Sequence, residues 1–128
     1  MDSIRKILVP VDVGEVARPI VDYAVMLAKP WQASIDLVHI WQPPSLLPEQ
    51  LMVTSPSGDA PRTAEDLALS MAEARLRELA DDARRAGVTK VSCRVGVGVP
   101  ADEICHLARH SGILLLRKEL IHLLACLV

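Results

Sequence analysis

Short uninterrupted apolar runs alternate with stretches of helical periodicity along this chain, and their spacing predicts its elements. Residues 6–11 carry Ile7-Leu8-Val9-Pro10-Val11, a run closed by a single carboxylate, Asp12, and then Gly14. An apolar run so short and unbroken suits a strand covered on both faces, the signature of a parallel sheet between layers of helix. After Gly14, Ala17, Ile20, Val21, Ala24, Leu27 and Ala28 repeat at the spacing of one helix face and predict a helix over 16–29. Pro19 lies near its start, where a missing N–H costs little, and Pro30 closes it. Residues 34–40 read as a second strand.

Residues 41–62 break this rhythm. Pro43, Pro44, Pro48, Pro56 and Pro61, with Ser57-Gly58-Asp59, predict a long variable loop. A helix over 63–86 follows, with Leu69, Ala72, Leu76, Leu79, Ala80 and Ala83 as its buried stripe. Glu73–Arg77 and Asp81–Arg85 have the spacing of ion pairs on its solvent side, and Gly87 supplies a left-handed stop. Over 90–97, Val91, Cys93, Val95 and Val97 alternate with Ser92, Arg94 and Gly96, the pattern of a half-exposed strand at a sheet edge. A helix over 101–111, opened by Pro100, carries Asp102 and Glu103 in its first turn and Arg109 and His110 in its last, as the helix dipole favours. Residues 113–116 read as a fourth, central strand and 118–127 as a short terminal helix. This order specifies a single α/β domain: three layers built on a doubly wound, mainly parallel sheet with right-handed crossovers.

Composition bounds the function. The chain has 128 residues, no Phe, one Tyr and two Trp, so its core is aliphatic and it offers few rings on which bases could stack. A net charge of −2 provides no basic stripe, and no nucleic-acid partner is expected. The opening Met-Asp-Ser-Ile-Arg-Lys is too polar and short for a signal peptide. Residues 113–128 are too short to span a bilayer and are interrupted by Arg117-Lys118-Glu119. A cytoplasmic protein without membrane contact is expected. Three widely spaced cysteines make no disulfide framework, and Cys93 and Cys126 read as small buried hydrophobes. Cys105-His106 with His110 one turn on has no third ligand nearby, so no metal site is expected.

Asp12 stands where open parallel sheets bind ligands, just beyond the carboxyl end of a strand. The same carboxylate, close before Gly14, is also ordinary turn and helix-capping chemistry. Gly96-Val97-Gly98-Val99-Pro100-Ala101 formally matches a dinucleotide fingerprint, but it follows the edge strand rather than the first and no suitably placed acidic residue follows it. Glycines for a tight turn, with proline at the first helical position, account for it better. No Walker motif, nucleophile elbow or catalytic carboxylate pair is present. His39, between Val38 and Ile40, reads as a hydrogen-bonded histidine of the core or rim.

Three segments, in this order, resemble the universal stress protein family. Lys6-Ile7-Leu8-Val9-Pro10-Val11-Asp12 is similar to the family's opening strand and Leu37-Val38-His39-Ile40 to its second. Gly98-Val99-Pro100 with Asp102-Glu103-Ile104 resembles its Gly-x-Pro segment. The resemblance covers about residues 4–112 and implies an adenine nucleotide alpha hydrolase-like, Rossmann-like sheet of strand order 3-2-1-4. It further implies a stress-response or regulatory role with ATP or another adenine nucleotide as ligand, Mg accompanying ATP. By that resemblance Asp12 faces the nucleoside, Pro10 and Ile40 line the adenine, and Gly98 approaches it. No catalytic residue is implied, and at most weak ATP hydrolysis.

The chain departs from the family after Leu116. The family cradles phosphate in a Gly-x2-Gly-x9-Gly-Ser/Thr loop, whereas no glycine occurs from 113 onward here. Cys126 and Leu127 stand where Gly and Ser/Thr would be, and the family's fifth strand is missing. A frame change, an early stop and a shortened natural variant all give this end. Phosphate binding is therefore expected to be weakened, and the strand at 113–116 to have an edge that a second copy, another protein or the terminal helix covers. The alternative function is a dimerisation or partner-binding module that takes no nucleotide.

Overall fold

Lys6–Pro10 forms strand β1, with Ile7, Leu8 and Val9 fully buried. Helix α1 (Ala17–Ala28) runs on into a 3-10 turn at Lys29–Trp31, so Pro30 sits inside a tighter turn, and Gln32 ends it in the left-handed conformation. Strand β2 (Ser34–Trp41), short strands β3 (Met52–Val53) and β4 (Arg62–Thr63), helix α2 (Ala64–Arg85), strand β5 (Val91–Val97), helix α3 (Pro100–Ala108) and strand β6 (Ile113–Leu114) follow. The computed structural model describes residues 5–11, 17–44, 51–54, 58, 60–109 and, as backbone, 113–114. The terminal helix expected over 118–127 and the end of the strand expected over 113–116 lie outside them.

Part of the expected loop over 41–62 is regular. β3 and β4 pair antiparallel, Met52 with Thr63 and Val53 with Arg62, and the pair leads directly into α2. Thr63 caps that helix, its hydroxyl accepting the Asp66 amide at 3.1 Å, with Glu65 and Asp66 in the first turn and Arg84 and Arg85 in the last. Both placements satisfy the orphan groups and partial charges of a helix end. Arg62 reaches over to Ser70 and the Asp66 carbonyl.

The main sheet is parallel, in the order β5-β2-β1-β6. This is the expected order 3-2-1-4. Side chains alternate between its faces. On one face Ile7, Val9, Val11, Ile35 and Leu37 pack with Val21, Ala24 and Ala28 of α1 and Leu76, Leu79, Ala80 and Ala83 of α2. On the other, Leu8 and Val38 pack with Ile104, Cys105 and Ala108 of α3. Helices on both faces complete the three layers.

Asp36 interrupts that second face, only 2% exposed. Ser92 Oγ donates to its Oδ1 at 2.7 Å, Arg94 Nε lies 3.2 Å from its Oδ2, and Lys6 Nζ stands 4.0 Å away. The Ser92 hydroxyl and the cations of Arg94 and Lys6, from both neighbouring strands, replace the water this carboxylate has lost.

The charged face of α2 is more than solvated. Asp81 pairs with Arg84 at 3.0 Å, while Arg85 turns to Asp82 instead of to the expected Asp81. Residues three apart on a helix meet as readily as those four apart. Asp82 also takes Arg18 of α1 at 2.6 Å, tying the two helices of one layer together. Its carboxyl is held below the usual carboxylate range, chiefly by the hydrogen bond from Arg85; desolvation pushes the other way, and the hydrogen bond and charge of Arg18 add to the lowering.

Two expectations follow. Asp36→Ala should destabilise the fold by about 1–3 kcal/mol in urea unfolding, because Ser92 and Arg94 lose a charged acceptor. Arg18→Ala should raise the pKa of Asp82 in a carboxylate NMR titration. The ionised Asp82 favours the folded state above the usual carboxylate range, and that contribution vanishes as the pH falls through its lowered folded-state pKa.

Candidate functional site

From β1 the chain builds outward to β2 and then β5, whereas β6 pairs on the opposite flank of β1. The direction of sheet growth therefore reverses at β1. In open parallel sheets such a reversal leaves a crevice beyond the carboxyl ends of the strands, where the connections diverge. Pro10, the last residue of β1, is buried at that point.

The ladder explains why a proline is tolerated in a central strand. Val11 N donates to Val38 O at 2.8 Å, so in the alternation of a parallel ladder the odd residues of β1 bond to β2 and the even ones face β6. Pro10 therefore lacks its N–H on the β6 side, one step past the pairing of Ile7 and Leu8 with Ile113 and Leu114. Asp12, two residues on, lies outside the described residues.

His39 secures the exit from β1. It is half-buried, and its Nδ1 lies 2.9 Å from the Val11 carbonyl, to which Nδ1–H donates. The histidine anchors the backbone just before Asp12. Ile40, next along β2, turns to the α3 side, where it packs against the Leu8 and Val38 cluster. Pro10 falls on the same face by the two-residue period from Leu8, so Pro10 and Ile40 share one side of the sheet. Gly96, in register with Ile40, leaves room for it: a Cβ there would stand 3.2 Å from Ile40 Cδ1.

Gly98 turns the chain from β5 into α3. Its φ is +155°, and its N–H donates to the Trp41 carbonyl at 3.1 Å. A Cβ on Gly98 would meet Glu103 Cγ at 3.0 Å and Oε1 at 3.2 Å. The space beside Gly98 is thus filled by Glu103, a neighbour that sequence reading treated only as a partner of the helix dipole. With Asp102 and Glu103 in the first turn and Pro100 removing one N–H, the start of α3 presents negative charge. That end disfavours an anion such as phosphate.

Two clefts bounded by described residues lie elsewhere. One of about 270 Å³ is lined by Ala28, Lys29, Gln32, Ala33, Gly87, Val88 and Thr89, and one of about 310 Å³ by residues at the starts of β2 and β5, both at the opposite end of the sheet. Among the described residues no three His, Cys, Asp or Glu side chains cluster in a way that could hold a metal ion. His110 lies outside them. Cys93, expected to be buried, is exposed, because β5 is the edge strand and α2 covers it incompletely. Burial of part of its side chain still pushes the thiol pKa up.

Gly98→Ala should destabilise the domain by about 1–3 kcal/mol in urea unfolding, since it forces a side chain into a positive-φ position already filled by Glu103. Adding Glu103→Ala to that variant should restore the steric part of the loss and leave the backbone part.

Comparison with curated protein sequences gave no match. Solved structures do match. A universal stress protein crystallised in complex with cAMP is 22% identical, with a TM-score of 0.64, over 88% of this chain and 72% of that one. A universal stress protein family member from Burkholderia pseudomallei is 23% identical, with a TM-score of 0.60, over 98% and 91% of the two chains. UspA from Lactobacillus plantarum is 17% identical, with a TM-score of 0.60, over 86% and 72%. At these identities the likeness establishes the fold. The family model described as the universal stress protein family matches residues 3–116. Together with the parallel sheet order and the three sequence segments, this places the chain in the universal stress protein family.

Proposed function

We propose that this chain is a cytoplasmic stress-response protein that binds an adenine nucleotide, chiefly through its nucleoside, in the crevice beyond β1. The reversal of strand order at β1, with buried Pro10 ending the strand there, carries this reading. Pro10 and Ile40 on one side of the sheet supply an apolar wall for a purine, and Gly98 closes the turn beside it. Asp12 is the polar group next along the chain and would accept from the ribose hydroxyls. The neighbour solved with cAMP supports an adenine ligand for this fold.

Phosphate recognition is the weak half. The Gly-x2-Gly-x9-Gly-Ser/Thr loop is replaced by Arg117-Lys118-Glu119 and a leucine-rich stretch, and the acidic first turn of α3 offers nothing to an anion. With ATP, Mg²⁺ would offset the charge of phosphates that the protein itself does not cradle. The role is binding and signalling rather than turnover. Among the described residues no helix is long and apolar enough to cross a membrane.

Thermal unfolding with millimolar ligand tests this reading. Adenosine, AMP and MgATP should raise the melting temperature by similar amounts, and GTP should not. At about a hundredfold excess over Kd the stabilisation is about 2.7 kcal/mol. Asp12→Ala and Ile40→Glu should each abolish the shift while circular dichroism shows an unchanged fold. Absence of a shift with every adenine ligand would exclude nucleotide binding and leave the partner-binding module as the function.

A further inference from the structure

Two successive residues of β2 hold Val11 where β1 ends. The paired register of the two strands stops at Pro10 and Val38. One step further, Val11 N still donates to Val38 O at 2.8 Å, but its carbonyl takes the His39 ring, Nδ1–H donating at 2.9 Å. A parallel ladder carried on would bring the Ile40 amide to that carbonyl instead. A side chain thus stands in for the next rung, and the strands part there with the peptide beyond β1 still held. Val11 is only 4% exposed, and a carbonyl so enclosed needs a donor.

The histidine does this from the far side of the sheet. Val11, Ile35 and Leu37 pack toward α1 and α2, and the two-residue period puts His39 on that face. Pro10 and Ile40, the wall proposed for the base, lie on the α3 side. His39 therefore adds nothing to that wall, and what it does for a ligand passes through the Val11 carbonyl. A peptide group is planar, so a carbonyl that cannot turn also fixes the direction in which the chain enters residue 12. Pro10, with no N–H, offers no such hold on the β6 flank.

We propose that His39 is the positioning residue for ribose recognition. Its hold on Val11 sets where the Asp12 carboxylate stands, and so makes the crevice prefer a nucleoside carrying both ribose hydroxyls. This rests on the nucleoside reading above and adds a residue that acts without touching the ligand. Hydrogen bonds weaken steeply with distance and angle, so a carboxylate on a chain left to swing loses most of their worth. The base wall is spared that loss, because Pro10 is paired with Val38 and Ile40 with Gly96. Base and ribose contributions should therefore separate when His39 is changed.

Isothermal titration with adenosine and 2′,3′-dideoxyadenosine reads the separation. Wild-type protein should prefer adenosine by about tenfold or more, the worth of a hydrogen bond to a charged group. His39→Phe should bind the two ligands alike, at the wild-type affinity for dideoxyadenosine, and His39→Leu takes its place if the phenyl ring disturbs the fold. His39→Asn, whose amide nitrogen falls close to the place of Nδ1, should keep the preference. A histidine that merely tightened the strand end would lower the melting temperature of His39→Phe and leave the preference intact. That result, an equal loss of both ligands, or a preference lost from His39→Asn as fully as from His39→Phe overturns the proposal. So does a wild-type protein that binds both nucleosides equally well, a finding that the nucleoside reading of the crevice survives. Binding of neither removes that reading, and this proposal with it.

Discussion

A strand bonded to neighbours on both flanks and roofed by helices on both faces has no surface left for water, and β1 is held in that state. Ile7, Leu8 and Val9 each have to serve one face or the other, and each is fully buried. That constraint fixes the rest. Ile7 and Val9 commit one face to α1 and α2, Leu8 commits the other to α3, and the parallel ladders force long crossovers between strands. The crevice proposed for the ligand follows from the same arrangement, because the order of a parallel sheet reverses at β1.

Family membership and crevice bear on different parts of the molecule. The first rests on the sheet and its crossovers, which tolerate wide sequence change. The second, as proposed, would depend on a few residues at strand ends: a proline that needs no donor, an isoleucine seated over a glycine, and a histidine that pins the carbonyl before Asp12. These can change while the sheet remains.

Most of the fold was legible because parallel strands and amphipathic helices write their burial directly into apolar spacing. The strand order followed once the element order was known. What escaped was contact between elements distant in sequence. Nothing near Asp36 announces that Ser92 and Arg94, more than fifty residues away, will satisfy it. Cys93 carries the alternation of a buried residue, yet the alternation cannot say how far α2 reaches over the edge. Asp82 looked like one more solvent charge until Arg18 met it from another helix. At the site, Pro10 and Ile40 could be placed on one side of the sheet from the two-residue period, while Glu103 beside Gly98 could not, since that contact depends on how the turn from β5 swings into α3.

Asp36 also acts as a check on assembly. Its partners come from the strands on either side, the Lys6 cation on β1 and Ser92 and Arg94 on β5, so its satisfaction depends on all three strands aligning at once. A one-residue slip of β5 would send Ser92 and Arg94 to the opposite face and leave a carboxylate enclosed with neither donor. Hydrophobic side chains would accept such a slip far more readily, because one valine in a strand substitutes for another. A single acidic residue in an otherwise oily sheet thus makes misfolded alignments costly and lets an edge strand of alternating small residues find one address.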